Sequence, residues 1–152
     1  MLRGLLGENL EDIIVTGYSE KHSKFYIYSP MLWWLYLKFK NTYILLSCDS
    51  NLLLSETKEI VCNFDLDEGD VFTISSISKT SFGIINQIDL FYDARDNLIA
   101  VGIEILRDNT YLANSLYIFI DSIDYNGFIV EMTKERDIIL ESYEFTKLDI
   151  IR

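Results

Sequence analysis

One histidine, His22, and one proline, Pro30, are all that this chain of 152 residues contains of either type. The shortage of histidine removes the commonest general base and the commonest metal ligand. A catalytic triad would have to use His22, which sits in Ser19-Glu20-Lys21-His22-Ser23-Lys24, a polar run that reads as an exposed turn. No Gly-x-Ser-x-Gly, P-loop or Gly-x-Gly-x-x-Gly occurs, so the usual phosphate cradles and the nucleophile elbow are missing. The two cysteines, Cys48 and Cys62, form no Cys-x-x-Cys pair. In a cytoplasmic protein they are expected to be buried free thiols, with no disulfide and no metal. No Pro/Gly/Ser-rich linker divides the chain, so residues 1–152 are expected to form a single domain.

Long apolar runs are missing too. Met31 to Leu37 is the longest candidate, and Lys38 and Lys40 end it at about a third of the ~20 residues a spanning helix needs. Glu8, Glu11 and Asp12 interrupt the opening segment, which therefore does not read as a secretory signal. These features predict a soluble cytoplasmic protein that is not an enzyme, carries no cofactor and enters no membrane.

What the chain does contain is aromatic and acidic. Nine Phe, ten Tyr and two Trp, in a composition that is 49% hydrophobic, suffice for one core without disulfide or metal. Thirteen Lys/Arg against 24 Asp/Glu give a net charge of −11. Residues 1–60 hold 6 basic and 7 acidic residues (net −1), whereas residues 61–152 hold 7 and 17 (net −10). Nucleic acid and anionic membranes are disfavoured partners of such a field, and a basic protein is favoured. Acidity as a mere solubility device is the plain alternative.

Leu5, Leu6, Leu10, Ile13 and Ile14 recur at roughly helical spacing opposite Glu8, Glu11 and Asp12, predicting a short helix over residues 4–14. Ile13 to Thr16 reads equally well as a strand. Beyond it the pattern is β. Strands are predicted at Phe25–Tyr28, ended by Ser29-Pro30, and at Met31–Phe39, with Leu35, Leu37 and Phe39 on one face and Trp34, Tyr36 and Lys38 on the other. Asn41-Thr42 and Asp49-Ser50-Asn51 read as turns on either side of a strand at Tyr43–Cys48, and further strands follow at Val71–Ile77, Gln87–Tyr92, Leu98–Leu106, Leu116–Ile120 and Phe128–Met132. The turn Asp93–Asn97 leads into Leu98–Leu106, where Ile99, Val101, Ile103 and Ile105 face one way. Ile138–Phe145 fits a strand or a short helix. Leu35–Ile44 echoes Ile103–Leu112, both running through Asn-Thr-Tyr, which suggests a repeated hairpin unit. The predicted fold class is mainly β (α+β only through the short N-terminal helix): an antiparallel sheet, sandwich or barrel built of β-hairpins.

The acidic stretch Asn63-Phe64-Asp65-Leu66-Asp67-Glu68-Gly69-Asp70 begins like a calcium loop but has Glu68 where the sixth-position glycine belongs and Ile74 where the twelfth-position glutamate belongs. It reads as a solvated turn. Candidate acidic surface residues are Asp65, Asp67, Glu68 and Asp70 there, Asp93 and Asp96 in the next turn, and Asp108, Asp121 and Asp124 beyond. Trp34 and Tyr36, opposite the core face of their strand, are candidate interface aromatics. Glu104 and Glu131 read as outward residues of alternating strands, and a carboxylate pair for hydrolysis stays open.

In small size, acidity and simple hairpins the chain resembles, as a class, the bacterial immunity proteins of contact-dependent inhibition and polymorphic toxin systems. No motif carries the resemblance and no residue role is transferred by it. It implies stoichiometric binding and neutralisation of a basic toxin, nuclease toxins included. Two other binding functions stay open: a β-barrel around a small apolar ligand, marked by a large internal cavity, and a self-associating structural or chaperone-like subunit, marked by an exposed apolar patch or a sheet continued across a two-fold axis.

Overall fold

The computed structural model describes residues 1–77, 81–106, 114–121, 126–133 and 144–152. After a 3-10 turn at Leu2–Leu5 come β1 (Asn9–Leu10), β2 (Asp12–His22), β3 (Phe25–Lys38), β4 (Tyr43–Cys48), β5 (Leu52–Thr57) and β6 (Val71–Ser76). They are followed by β7 (Gly83–Tyr92), β8 (Leu98–Leu106), β9 (Asn114–Ile120), β10 (Phe128–Thr133) and β11 (Lys147–Ile151). The protein is mainly β, and every pairing is antiparallel. One sheet runs β5-β4-β3-β2-β6; the other runs β1-β7-β8-β9-β10, with β11 on the same edge of β7 as β1.

The two sheets are joined at a corner. Ile77 N donates to Ile13 O (3.0 Å) in the first sheet, and Phe82 N donates to Leu10 O (2.9 Å) in the second. Leu10 and Ile13, three residues apart with Glu11 as the crossing residue, therefore belong to different sheets, and so do Ile77 and Phe82 bonded to them. This explains why the helix expected over residues 4–14 does not form. Leu10 and Ile13 are both fully buried, but on two strands that face each other across the core, so their spacing mimics helical periodicity.

The core lies between the sheets. Ile13, Val15, Leu35, Leu37, Ile44, Leu46 and Leu52 face Ile85, Ile88, Leu90, Val101, Ile103, Ile105, Leu116 and Ile118. Leu35, Leu37, Phe39 and the β8 residues Val101, Ile103 and Ile105 lie on the core side, as their alternation predicts. Ile99 does not. The register shifts near the start of β8, and Ile99 packs instead on a second cluster of Phe91, Ala100, Tyr117 and Phe119 on the far face of that sheet. Ser29-Pro30 ends no strand; β3 runs on through a bulge, because Val15 pairs with Leu35 while Gly17 already pairs with Pro30. The turn at Gly127 closes on this bulge. A side chain there would run into the Leu32 backbone, so the left-handed Gly127 admits no larger residue. Asn109-Thr110-Tyr111, which carries the second half of the hairpin echo, and residues 138–143 lie outside the described residues.

Candidate partner-binding surface

Past the bulge β2 and β3 stay paired, Gly17–His22 with Phe25–Pro30, and beyond Ser19, the last β2 residue that also pairs with β6, they continue as a two-stranded hairpin arm. Below the arm Gly17 has no side chain: the Tyr28 ring packs where one would stand, and Tyr28 Oη donates to Val15 O (3.3 Å). Burial raises the Tyr28 phenol above its ordinary pKa. At the tip, Ser23 adopts a left-handed φ of 58° in the two-residue turn between His22 and Phe25. Lys21, His22 and Lys24 are exposed there, together with Phe25, Tyr26 and Ile27. His22 is exposed, as the sequence suggests, with its Nε2 3.2 Å from the Glu20 carboxylate.

Beside the arm, the segment between β5 and β6 folds back over the outer face of the first sheet. Its anchor is Tyr36. Tyr36 Oη donates to Val61 O (3.3 Å) and accepts from Val61 N (3.4 Å) and from Asn63 Nδ2 (2.8 Å). Three residues on, Phe64 sits among Tyr18 (6.4 Å between ring centroids), Trp34 (5.8 Å) and Phe72 (6.1 Å). Tyr36 is 0% exposed and Trp34 is half-buried, so neither is the open interface aromatic that alternation suggested. Alternation identified the face correctly; the chain then covers that face with its own loop.

The covering loop carries the acidic run. Asp65, Asp67 and Glu68 are exposed, Asp70 is half-buried, and Leu66 stands exposed between them. Asp70 N bonds to Asp67 O (3.1 Å), closing the turn. Among the described residues no lysine or arginine pairs with any of these four carboxylates. The run ends at Val71, whose register partner is Ser19 at the base of the arm. Acidic loop and apolar arm therefore meet at one end of the first sheet.

The other acidic candidates fall elsewhere. Asp93 and Asp96 are in the β7–β8 turn. Asp93 Oδ1 accepts from Asn97 N (3.0 Å) and Arg95 N (2.8 Å), and Asn97 Nδ2 reaches Oδ2 (3.3 Å). The Asn97 amide, then the Arg95 amide, hold this carboxyl below the ordinary aspartate value. Asp93 is thus a turn-building residue, while Asp96, at φ 59°, is exposed. Asp121 is 8% exposed, which removes it from any acidic surface. Asp108 and Asp124 lie outside the described residues.

The sequence did not single out the buried polar row on the far face of the second sheet. Gln87 Nε2 donates to Asp89 Oδ1 (2.9 Å), and Arg152 Nε donates to Gln87 Oε1 (2.9 Å). The alternation Gln87, Asp89, Phe91 reads as a solvent face, so nothing local marks the first two as buried. Both cysteines are free. Cys48 is buried, its thiol pKa raised by burial and by the neighbouring Asp49, but Cys62 is exposed, contrary to expectation. Cys62 lies in the covering loop, its Sγ 3.1 Å from Phe64 O.

A cavity of about 480 Å³ opens between the N-terminal turn and the β3–β4 hairpin, lined by Leu5, Phe39 and Ile44 but also by Glu8, Lys40 and Glu56. It lies beside the N-terminal turn, at the end of the two sheets. Among the described residues no group of three or more His, Cys, Asp or Glu could hold a metal ion, and no helix is long and apolar enough to cross a membrane. Comparison with known proteins finds no matching family, no similar curated protein and no similar solved structure.

Proposed function

We propose that this chain is a stoichiometric binding protein that captures a basic protein, in the manner of a cytoplasmic bacterial immunity protein neutralising its toxin. The observation that carries this reading is the acidic run Asp65, Asp67, Glu68 and Asp70, without a lysine or arginine partner among the described residues and held in place by Tyr36 and Phe64 beside an arm of exposed apolar side chains. A pre-organised loop loses little conformational freedom on binding, so more of its interaction energy appears as affinity. Its charge steers encounter, raising association above the ~10⁵–10⁶ M⁻¹s⁻¹ of an unsteered pair. Phe25, Tyr26 and Ile27 supply the desolvated contact that slows dissociation. Carboxylates on such a loop take the places of phosphates on a nuclease-type partner or deny access to them.

The test begins with a pull-down that identifies the partner, followed by association rates at two salt concentrations. The Debye length falls from about 10 Å at 0.1 M salt to about 3 Å at 1 M, so association should slow with salt while dissociation changes less. Asp65→Lys, Asp67→Lys, Glu68→Lys and Asp70→Lys together should lower the association rate, and Phe25→Ser with Tyr26→Ser should speed dissociation. Salt-independent rates, or a partner that is itself strongly acidic, would remove the basis of the reading.

A further inference from the structure

Among the described residues strand β6 pairs with β2 alone and forms one edge of the five-stranded sheet, and it lacks the devices that usually protect such an edge. Val71-Phe72-Thr73-Ile74-Ser75-Ser76 contains no proline and no charged residue, and its register with β2 is unbroken from end to end. Natural sheets blunt their edges with lysine, proline or bulges, because an open edge is a template for another strand.

The direction of the backbone groups follows from one hydrogen bond. Ile77 N donates to Ile13 O, so Ile13 and Ile77 form a hydrogen-bonded pair. Bonded and non-bonded pairs alternate along an antiparallel ladder. Ser75, Thr73 and Val71 therefore also bond β2, and the N–H and C=O groups of Phe72 and Ile74 point to the open edge. Three large apolar side chains of this stretch stay half-exposed: Val71 (51%), Ile74 (50%) and Ile77 (49%). They are spaced evenly on either side of Ile74.

We propose that β6 pairs antiparallel with β6 of a second copy of this chain, across a two-fold axis at Ile74, so that two five-stranded sheets become one continuous sheet. The pairing sets Ile74 opposite its own copy on one face and each Val71 opposite an Ile77 on the other. All three exposed side chains find apolar partners, and the outward amide and carbonyl of Ile74 are exchanged across the axis. Charge selects the same arrangement. The acidic run precedes β6, so antiparallel pairing puts the two runs at opposite ends of the strand pair. With Ile74 on the axis, Asp70 and its copy lie eight residue steps apart along the pair, roughly 27 Å at about 3.4 Å each and more than two Debye lengths at 0.1 M salt. Parallel pairing would set them side by side. Both acidic loops and both arms stay free at the ends of the joined sheet, so the dimer offers two copies of the surface described above without depending on its function.

Sedimentation velocity of the full chain across the micromolar range tests this. Wild type should reach the mass of a dimer at the upper end. Ile74→Lys, which places like charges at the axis, should sediment as a monomer throughout. So should Ile74→Pro, which removes only an outward N–H that β2 does not use. Leu53→Lys, an equally exposed position on the opposite edge strand β5, should leave the dimer intact. In wild type the Phe72 and Ile74 amides should resist hydrogen exchange at high concentration, and Phe72 should lose that protection in folded Ile74→Lys. A wild type that stays monomeric, a dimer that survives both Ile74 substitutions, or one broken by Leu53→Lys would overturn the proposal. Capture of a basic strand from another protein at β6 while the chain itself stays monomeric would overturn it as well.

Discussion

The outer faces of the two sheets are built from similar residues and closed in different ways. On the first sheet, Trp34, Tyr36, Tyr18 and Phe72 are roofed by a loop from the same sheet, and three hydrogen bonds converge on one phenol to hold the roof. On the second, Phe91, Tyr117 and Phe119 form a small apolar cluster under Phe145 (5.1 Å from the Phe91 ring centroid), with the polar row Gln87, Asp89 and Arg152 alongside. Alternation along a strand says only that a residue belongs to one face or the other. Whether the second face meets water depends on segments far away in the chain, and here both sheets are covered on both sides over part of their area.

The largest effect on this comparison should come from removing the anchor of the first roof. Tyr36→Ala should lower the free energy of unfolding by about 3–5 kcal/mol, as for other large buried aromatics. Tyr36→Phe keeps the ring and should cost only about 1–2 kcal/mol, since it leaves Val61 and Asn63 to find other partners. Urea denaturation of the two variants separates ring from hydroxyl. Near-equal losses would show that the roof is held by hydrogen bonds, whereas a negligible loss for Tyr36→Phe would show that it rests on packing alone.

A smaller effect of opposite sign is expected at Thr16, also on the covered side of β2. Its Oγ1 is buried with no hydrogen-bond partner among the described residues, and the residue is 0% exposed. Thr16→Val keeps the shape, removes the unsatisfied hydroxyl, and should stabilise the fold by about 1 kcal/mol, read from the denaturation midpoint. A loss of stability on this substitution would mean that the hydroxyl is satisfied in solution.

The smallest effect belongs to the second sheet. The depressed pKa of Asp93 means that its ionised form stabilises the β7–β8 turn at pH values above the unfolded carboxyl pKa, about 3.9, and that this contribution disappears as pH falls through the still lower folded value. Asp93→Asn should therefore lower Tm slightly at pH 7 and converge on wild type in acid. A Tm difference that does not change with pH would show that the turn depends on the side chain's shape and not on its charge.

Local rules account for the strands and for one face of each. Period-two alternation identified Leu35, Leu37 and Phe39, and Val101, Ile103 and Ile105, as core, because in a pleated strand the covalent geometry alone decides which side chains share a side. Turn chemistry placed Asn41-Thr42, Asp49–Asn51 and Asp93–Asn97 between strands for the same local reason. The acidic run was legible as an exposed loop, since a string of carboxylates cannot be buried without partners. The true setting of Leu10 and Ile13 was not legible, because one crossing residue carries the chain between two sheets that meet only in three dimensions. Nor was the burial of Tyr36, Gln87 and Asp121, which depends on what long-range packing lays over them. The sequence by itself determined that this protein is made of antiparallel hairpins with an uneven negative charge, because propensity, alternation and charge are properties of neighbouring residues. Only the tertiary structure decided that the acidic loop would be fastened by Tyr36 and Phe64 beside the arm, and that β6 would be left as an edge, because both depend on which distant segments fold against the same sheet.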